Sequence, residues 1–562
     1  MIKIDKILLS IFQRAFKSIT DEMSISLTKT TRSPILCEAK DFVTGLYDAK
    51  GNMLEQTENL PILSFSLGPV CRVILDQYGE NISPGDVIIH NDVFSMGNQN
   101  NDVAIFKPIF HDNTLIGWAA AKGHQADIGG AVQGGYNPNA TEVWQEAIRI
   151  PAVKLYEKGK LREDVWNLIF ANIRLTMVQE DIKAQIGACT LGERRLQSLV
   201  GKYGIETYEA HKQELFSATE TMMRSEIAAI PNGVYHGDSM VFYDGKHPGT
   251  EFTVRAKVTV EDEAITFDFS ESSEQTKGFV NGTYTSTCSA ITLSFLQMVN
   301  PNIPHNEGMI KPLTYIVPEG IILNASYPAA TTFGNHLCPQ VADSIAKALS
   351  TAIPEKITAG WNHLLCSLFT GNHPKTNEKY VDICFLGLKG GSGALKNSDG
   401  YDHIGMIDAS GGILDQDYEM FEQQTPHALL YHEYLQDSGG PGQWRGGLGV
   451  ETKIKLGGDD TTMVVFGDGN VKTPYGLFGG KTSVLNKISL TLPDGTEKIP
   501  MSKDMIEGIP TGTLYHQIAG GGGGYGNPEN RNKISVLKDV KNEVVSESQA
   551  TNVYGIEMKE KS

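Results

Sequence analysis

The stretch 103–124, VAIFKPIFHDNTLIGWAAAKGH, decides the fold of the first part of the chain: two apolar runs flank a polar break at His111, Asp112 and Asn113. Asp and Asn accept turn geometry readily, so the stretch reads as two β-strands folded back on one another. Just upstream, SPGDVIIHNDVF (83–94) gives a turn, a short apolar strand and a polar loop. DFVTGLYDAKGNMLEQ (41–56) alternates in the same way as strands and turns. Polar residues thus gather at the ends of adjacent strands.

Helical patterns flank this β-rich region. Ile4, Ile7, Leu8, Ile11, Phe12, Phe16 and Ile19 recur at helical spacing. Residues 140–228, rich in Glu, Leu, Ala, Ile and Arg and poor in glycine, read as consecutive helices. After PNG at 231–233 the chain turns to strands (GDSMVFYD, EFTVRAKVTV, EAITFDFS), then to helices near SAITLSFLQMV and QVADSIAKALSTAI. Beyond residue 376, glycine clusters such as LGLKGGSGAL, DSGGPGQWRGGLG and IAGGGGGYGNP interrupt short apolar runs and read as turns between strands. The tail after Tyr525 reads as helix-prone with a polar end. The expected fold class is α+β, with mixed β-sheets flanked by helices and glycine-rich loops. The boundary is expected near residue 228, between an N-terminal region (1–228) carrying the polar loops and helical block and a β-rich, glycine-looped remainder (229–562).

Composition narrows the function classes. At 562 residues, 40% hydrophobic and 20% charged, the chain has ordinary globular usage and length for several domains. With 66 acidic against 48 basic side chains, the net charge of -18 repels phosphate backbones and anionic lipid, so neither nucleic acid nor a membrane surface is an expected partner. No window reaches the roughly 20 apolar residues of a membrane-spanning helix. Seven widely spaced cysteines without a C-x-x-C pair fit free thiols in the cytoplasm.

Several near-motifs fail on chemistry. GLFGGKT (476–482) lacks the glycine that a phosphate loop needs at 475, which is Tyr. GGGGYG (521–526) meets a dinucleotide pattern only because consecutive glycines meet it cheaply, and Pro528 delays any helix. DSGGP (437–441) has no upstream His in a matching context to activate Ser438. His427 and His432 lie five apart, which would not share a helical face, and read as ordinary polar histidines.

The stronger constellation is NDVFSMGNQNNDV (91–103) followed by KGHQADIGG (122–130), which crowds Asn91, Asp92, Gln99, Asp102, His124 and Asp127 at strand ends. Carboxylate and imidazole from adjacent loops suit a divalent ion such as Zn or Mn, whose bound water becomes a better nucleophile. The alternative is a hydrogen-bonded loop pair in which Asp caps turns.

These motifs resemble the hydantoinase B and oxoprolinase family, whose relatives include the larger catalytic subunits of acetone and acetophenone carboxylases. The resemblance runs nearly end to end: Asp41-Phe42 with Asp48 and Gly51, the two motifs above, TEVWQEAIRIPAVKLYEKGKLREDVW (141–166), NEG (306–308), Glu419 and Glu422 before Pro426, DSGGPGQWRGGLGV (437–450) and GGGGYGNP (521–528). It implies a hydantoinase B-like fold. It also places family metal ligands at Gln99, Asp102 and His124, with Gln99 standing where the family usually has His and Val93 where it has Pro. The resemblance implies ATP-dependent opening of a cyclic amide (a hydantoin, 5-oxoproline or another lactam) by a hetero-oligomer, with ATP bound on a companion hydantoinase A-like subunit. Asp127, Glu142 and Glu146 are candidate proton-transfer groups or supports for the ligands, with surface charge or helix-start roles as the alternative. The family also admits ATP-dependent ketone carboxylation, and the Gln99 departure admits a metal-free scaffold subunit.

Overall fold

The computed structural model describes residues 4–57 and 59–557. The first three residues of the expected N-terminal helix and the polar end of the tail lie outside the described residues. The chain forms two compact units, one of residues 1–236 with 254–341 and one of 237–253 with 342–562. The helical block closes at Ala228, where the helix Ile205–Ala228 ends, and the chain returns to the first unit for residues 254–341.

The first unit is built on a seven-stranded sheet. Its strands are β1 (Phe42–Asp48), β2 (Met53–Gln56), β3 (Val87–His90), β4 (Asp102–His111), β5 (Thr114–His124), β6 (Val153–Glu157) and β7 (Lys160–Leu161), in the spatial order β2-β1-β5-β4-β3-β6-β7. Every recorded pair in it is antiparallel. The hairpin read from 103–124 is its centre. Asp112 and Asn113 form the two-residue connection with φ of 46° and 64°, the left-handed pair that matches the twist of a tight hairpin. The register shifts once, between Ile109↔Gly117 and Phe110↔Leu115, leaving Ile116 as the extra residue.

Both faces of β4 and β5 are buried over most of their length, which explains why these strands read as continuous apolar runs instead of alternating. The 27-residue helix Met177–Tyr203 packs on β4 and β5, and the helix Lys6–Thr30 packs on that helix in turn. Small residues permit this layering. A Cβ on Gly192 of the covering helix would stand 3.1 Å from the Ala119 methyl on β5 and 2.5 Å from Met23 Sδ.

The second unit holds two antiparallel sheets. One has four strands (Leu365–Asn372, Lys379–Ile383, Asp459–Gly467, Asp504–Ile509), and the other has five, with Ala428–Tyr434 at its edge. Phe369, Phe421, Ile454, Met463, Leu490 and Tyr515 form their shared apolar core. The glycine clusters differ in part from the turns expected of them. None of Gly520 to Gly524 has a positive φ. Instead the run lies against other backbones: a Cβ on Gly522 would sit 1.8 Å from the Ser392 carbonyl oxygen and one on Gly523 1.8 Å from that of Tyr475. Glycine is used here for close approach of main chains, a demand that local sequence does not distinguish from a turn.

Candidate functional site

β4 begins with Asp102 and β5 ends with His124, and the ladder sets these two residues directly opposite one another. Directly opposed residues on antiparallel strands share a face, and His124 Nδ1 lies 2.9 Å from Asp102 Oδ1. Both are almost fully buried. Burial opposes charge on His124, but the Asp102 hydrogen bond and the nearby Asp41 and Asp102 charges outweigh it and raise the imidazole pKa. The pair therefore favours a cation, either a proton or a metal, between carboxylate and ring.

Amides surround the carboxylate. Asp102 Oδ2 accepts from Asn98 Nδ2 at 2.6 Å and from Asn335 Nδ2 at 2.9 Å. The same Asn335 amide donates to Gln99 Oε1 at 3.1 Å, while Gln99 Nε2 donates to the Thr332 carbonyl and to Tyr136 Oη. Tyr136 stacks on the His124 ring at 6.0 Å and bonds His336 Nε2 at 2.9 Å. Lys122, one pleat from His124 on β5, donates to Asn98 Oδ1 at 2.8 Å and contacts Ser66 Oγ. Burial lowers its pKa to about 7, with Asp102 acting in the opposite direction. So many polar side chains buried in one place require mutual hydrogen bonding to be tolerated, and the network supplies it.

The expected ligands Gln99, Asp102 and His124 thus meet. They fit a divalent cation by chemistry: one carboxylate, one imidazole and one amide carbonyl. Gln99 Oε1 and Asp102 Oδ2 already converge on a shared positive partner, the Asn335 amide.

The three expected proton-transfer or support residues separate. Glu146 is fully buried and accepts from the Thr331 and Thr332 N–H groups, both at 2.8 Å, so it braces the backbone whose Thr332 carbonyl holds Gln99. Burial raises its pKa to about 7 against those hydrogen bonds. Asp127 is tied to the Arg174 guanidinium at 2.9 Å and to the Arg174 N–H at 2.7 Å, pinning its glycine loop. Glu142 is exposed and starts a short 3₁₀ turn, its backbone bridged to Ala329. Asn91 and Asp92 also shape loops: Asn91 bonds the Asn100, Ile148 and Ile150 backbone, and Asp92 pairs with Arg149 at 2.8 Å. Sequence reasoning missed Asn98, Lys122, Tyr136, Asn335 and His336. Of these only Lys122 left a signal, a charged residue inside an apolar strand and two positions from His124.

The failed motifs stay failed. Residues 476–482 lead to the strand Lys487–Thr491 and not to a helix. Ser438 Oγ donates to the Leu435 carbonyl and accepts from the Gly449 N–H at 2.9 Å, a loop brace.

An apolar cavity of about 200 Å³ lies in the same unit, lined by Tyr47, Phe65, Arg72, Tyr284, Cys288 and Tyr315 among others. Two of its walls continue into the cluster. Phe65 precedes Ser66, and Tyr284 follows Thr283, whose hydroxyl donates to the Asn98 carbonyl at 3.0 Å. No helix among the described residues is long and apolar enough to cross a membrane, and all seven cysteines are free thiols.

Comparison with known proteins places this architecture. The family model described as hydantoinase B/oxoprolinase matches residues 5–528. The chain is 34% identical to the caprolactamase subunit beta of Pseudomonas jessenii, over 98% of this chain and 96% of that protein. The crystal structure of the ATP-dependent caprolactamase from Pseudomonas jessenii superposes with a TM-score of 0.93 at 31% identity, covering 100% of this chain and 98% of that one. A nucleotide-free acetone carboxylase structure shares the fold, with a TM-score of 0.91 at 21% identity over 99% of this chain and 80% of that one. A family model matched over nearly the whole length, and a relative matched end to end, make this chain a member of the hydantoinase B/oxoprolinase family.

Proposed function

We propose that the chain is the substrate-handling subunit of an ATP-dependent hydrolase of cyclic amides, working in the cytoplasm with a hydantoinase A-like subunit that binds the nucleotide. The observation that carries this reading is the buried Asp102–His124 pair and its amide network, in a chain that aligns end to end with a caprolactamase subunit. In such a reaction phosphorylation turns the amide oxygen into a leaving group, and the lactam and ATP each consume one water. The cavity of about 200 Å³ is below the ~300 Å³ of pockets for larger ligands and suits a single small ring.

The residues divide the work. Asp102 and His124, with the Gln99 carbonyl, would hold a divalent cation such as Zn or Mn, and that cation would polarise an oxygen of the substrate or of water. Asn98 and Asn335 orient the Asp102 carboxylate. Glu146 fixes the Thr331–Thr332 backbone and through it the Gln99 side chain. Lys122, with a pKa of about 7, exchanges a proton at Nζ near neutrality, as departure of a ring nitrogen requires.

The test is turnover by the chain co-purified with its ATPase partner, on a panel of lactams and hydantoins with and without ATP, and with metal content measured on the same sample. ATP-dependent ring opening that His124→Ala abolishes, with the complex still assembled, is the expected result. Unchanged turnover in that variant would remove His124 from the mechanism. Bicarbonate-dependent formation of a keto acid from ketones would move the protein to the carboxylases.

A further inference from the structure

His432, an ordinary polar histidine by sequence spacing, meets two partners at the edge of the five-stranded sheet of the second unit. One ligand atom from each of His403, Asp415 and His432 lies within 4.8 Å of the other two. His403 Nε2 is 2.8 Å from Asp415 Oδ2, and the two imidazole rings are 5.0 Å apart at 73°. His403 and Asp415 stand on the loop segments before the helix Tyr418–Gln424, whereas His432 is on the strand Ala428–Tyr434.

The surrounding hydrogen bonds leave the right atoms available. A hydroxyl has one proton. Thr452 Oγ1 donates its proton to the Leu386 carbonyl at 3.2 Å, so it accepts from His432 Nδ1 at 2.8 Å. That tautomer leaves a lone pair on His432 Nε2. Lys389 Nζ sits 3.0 Å from Asp415 Oδ1, which orients the carboxylate and leaves Oδ2 to His403. Outer partners of this kind, one on a ligating imidazole and one on a ligating carboxylate, are what built metal sites use to fix their ligands. The rings of Tyr418 and Tyr434 also face the group, at 5.9 Å from His432 and 6.2 Å from His403.

We propose that His403, Asp415 and His432 form a site for a divalent first-row transition metal, made of none of the residues of the Asp102 cluster, which clasps the loop 399–417 to the edge strand. Two imidazoles and one carboxylate select zinc, cobalt, nickel or manganese over calcium or magnesium. Donors bound to one ion at about 2.1 Å stand ~3.0–3.4 Å apart, so His403 Nε2 and Asp415 Oδ2 need only a small separation as the cation replaces the proton between them. The ring proton then moves to His403 Nδ1, which has no protein acceptor among the described residues. That makes the site an exchangeable one, weaker than a closed structural zinc site.

The proposal does not depend on the reaction proposed above, and its test keeps the two apart. The full-length Asp102→Asn/His124→Ala variant, stripped with chelator, is titrated with zinc against a competing indicator. One equivalent is expected to bind, and adding His403→Ala and His432→Ala should weaken that binding by at least ~100-fold. No zinc binding in the first variant, or equal binding in the second, would overturn the proposal. Should the fourfold variant fail to fold, hydrogen exchange of residues 399–417 in the otherwise native chain decides the matter. Zinc should slow exchange there, and His432→Ala alone should abolish the slowing; exchange that zinc leaves unchanged counts against the site.

Discussion

Replacing Glu146 by Ala removes the only described side-chain acceptor of the Thr331 and Thr332 N–H groups, both held at 2.8 Å by a fully buried carboxylate. A buried N–H left unpaired costs about 1–3 kcal/mol, so the pair should cost roughly 2–6 kcal/mol. The loss has a definite pH dependence. Burial raises the folded pKa of Glu146 from 4.5 to about 7, so the folded state binds the proton more tightly than the unfolded chain. Its contribution is fully present below pH ~4.5 and is lost as pH rises through about 7. At 1.36 kcal/mol per unit the whole span is about 3 kcal/mol, of which roughly 2 kcal/mol falls between pH 5.5 and pH 8. The Glu146→Ala deficit should therefore be about 2 kcal/mol larger at pH 5.5 than at pH 8. The assay is hydrogen exchange of the peptide spanning 329–336 at the two pH values, corrected for intrinsic rates, which reads the opening that brings Glu146 into water together with the Thr331–Thr332 backbone it holds, and needs no two-state unfolding of a two-unit chain. Protection should fall at both pH values, with an extra loss of about 30-fold at the lower one. Unchanged protection at Thr331 and Thr332, or a deficit that grows with pH, would refute the reasoning.

Lys122→Met should flatten the rise in stability between pH 7 and pH 10. In the native chain the buried ammonium, with a pKa lowered from 10.5 to about 7, is lost more readily than in the unfolded chain, so stability climbs across that window; thermal unfolding of both proteins over the range checks it. Gly192→Val should lower the melting temperature by overpacking of about 1–3 kcal/mol, because its Cβ meets Met23 and the Ala119 methyl. Gly522→Ala should leave the chain insoluble or unfolded on expression, since the new methyl falls 1.8 Å from a backbone oxygen that cannot withdraw. Phe65→Trp, which narrows the apolar cavity, should raise KM for ring substrates about tenfold with ATPase coupling retained, read by steady-state kinetics with the partner subunit present.

The hairpin, its turn at Asp112 and Asn113 and the helices from Glu163 to Ala228 were legible because each depends on local pattern: apolar runs, turn formers and a period of 3.6. Residues 140–162, expected to be helical with them, instead form a 3₁₀ turn and the strands β6 and β7, with the pairing of β6 to β3 set by long-range contact. The Asp102–His124 pair was legible because both members lie at the ends of that one hairpin. Asn335 and His336 left no trace near the motifs, because contacts across more than two hundred residues follow from tertiary packing. Glu142 and Glu146 lie four apart and look interchangeable in sequence, yet one caps an exposed turn and the other is sealed inside. Burial separated their roles, and no local pattern in 141–150 encodes it. The same holds for the glycine run at 520–524, where a need for close main-chain contact reads like a need for turns.

The single extra residue at Ile116 has a consequence for how the site tolerates change. If the same residues paired one to one from the turn, with no bulge, Asp102 would stand opposite Gly123, and His124 would point through the sheet to the other side. The pairing of carboxylate and imidazole is therefore a matter of parity. With the turn and the bulge held, lengthening or shortening either arm by one residue between the bulge and the site separates the two chemically while leaving each residue in the chain, whereas adding one residue to both arms restores the match. Homologues that vary between the bulge and the site should change both arms together. Removing Ile116 itself would only straighten β5 and leave Asp102 opposite His124, so a designer wishing to silence the site without touching it would instead delete one residue between Gly117 and Ala121.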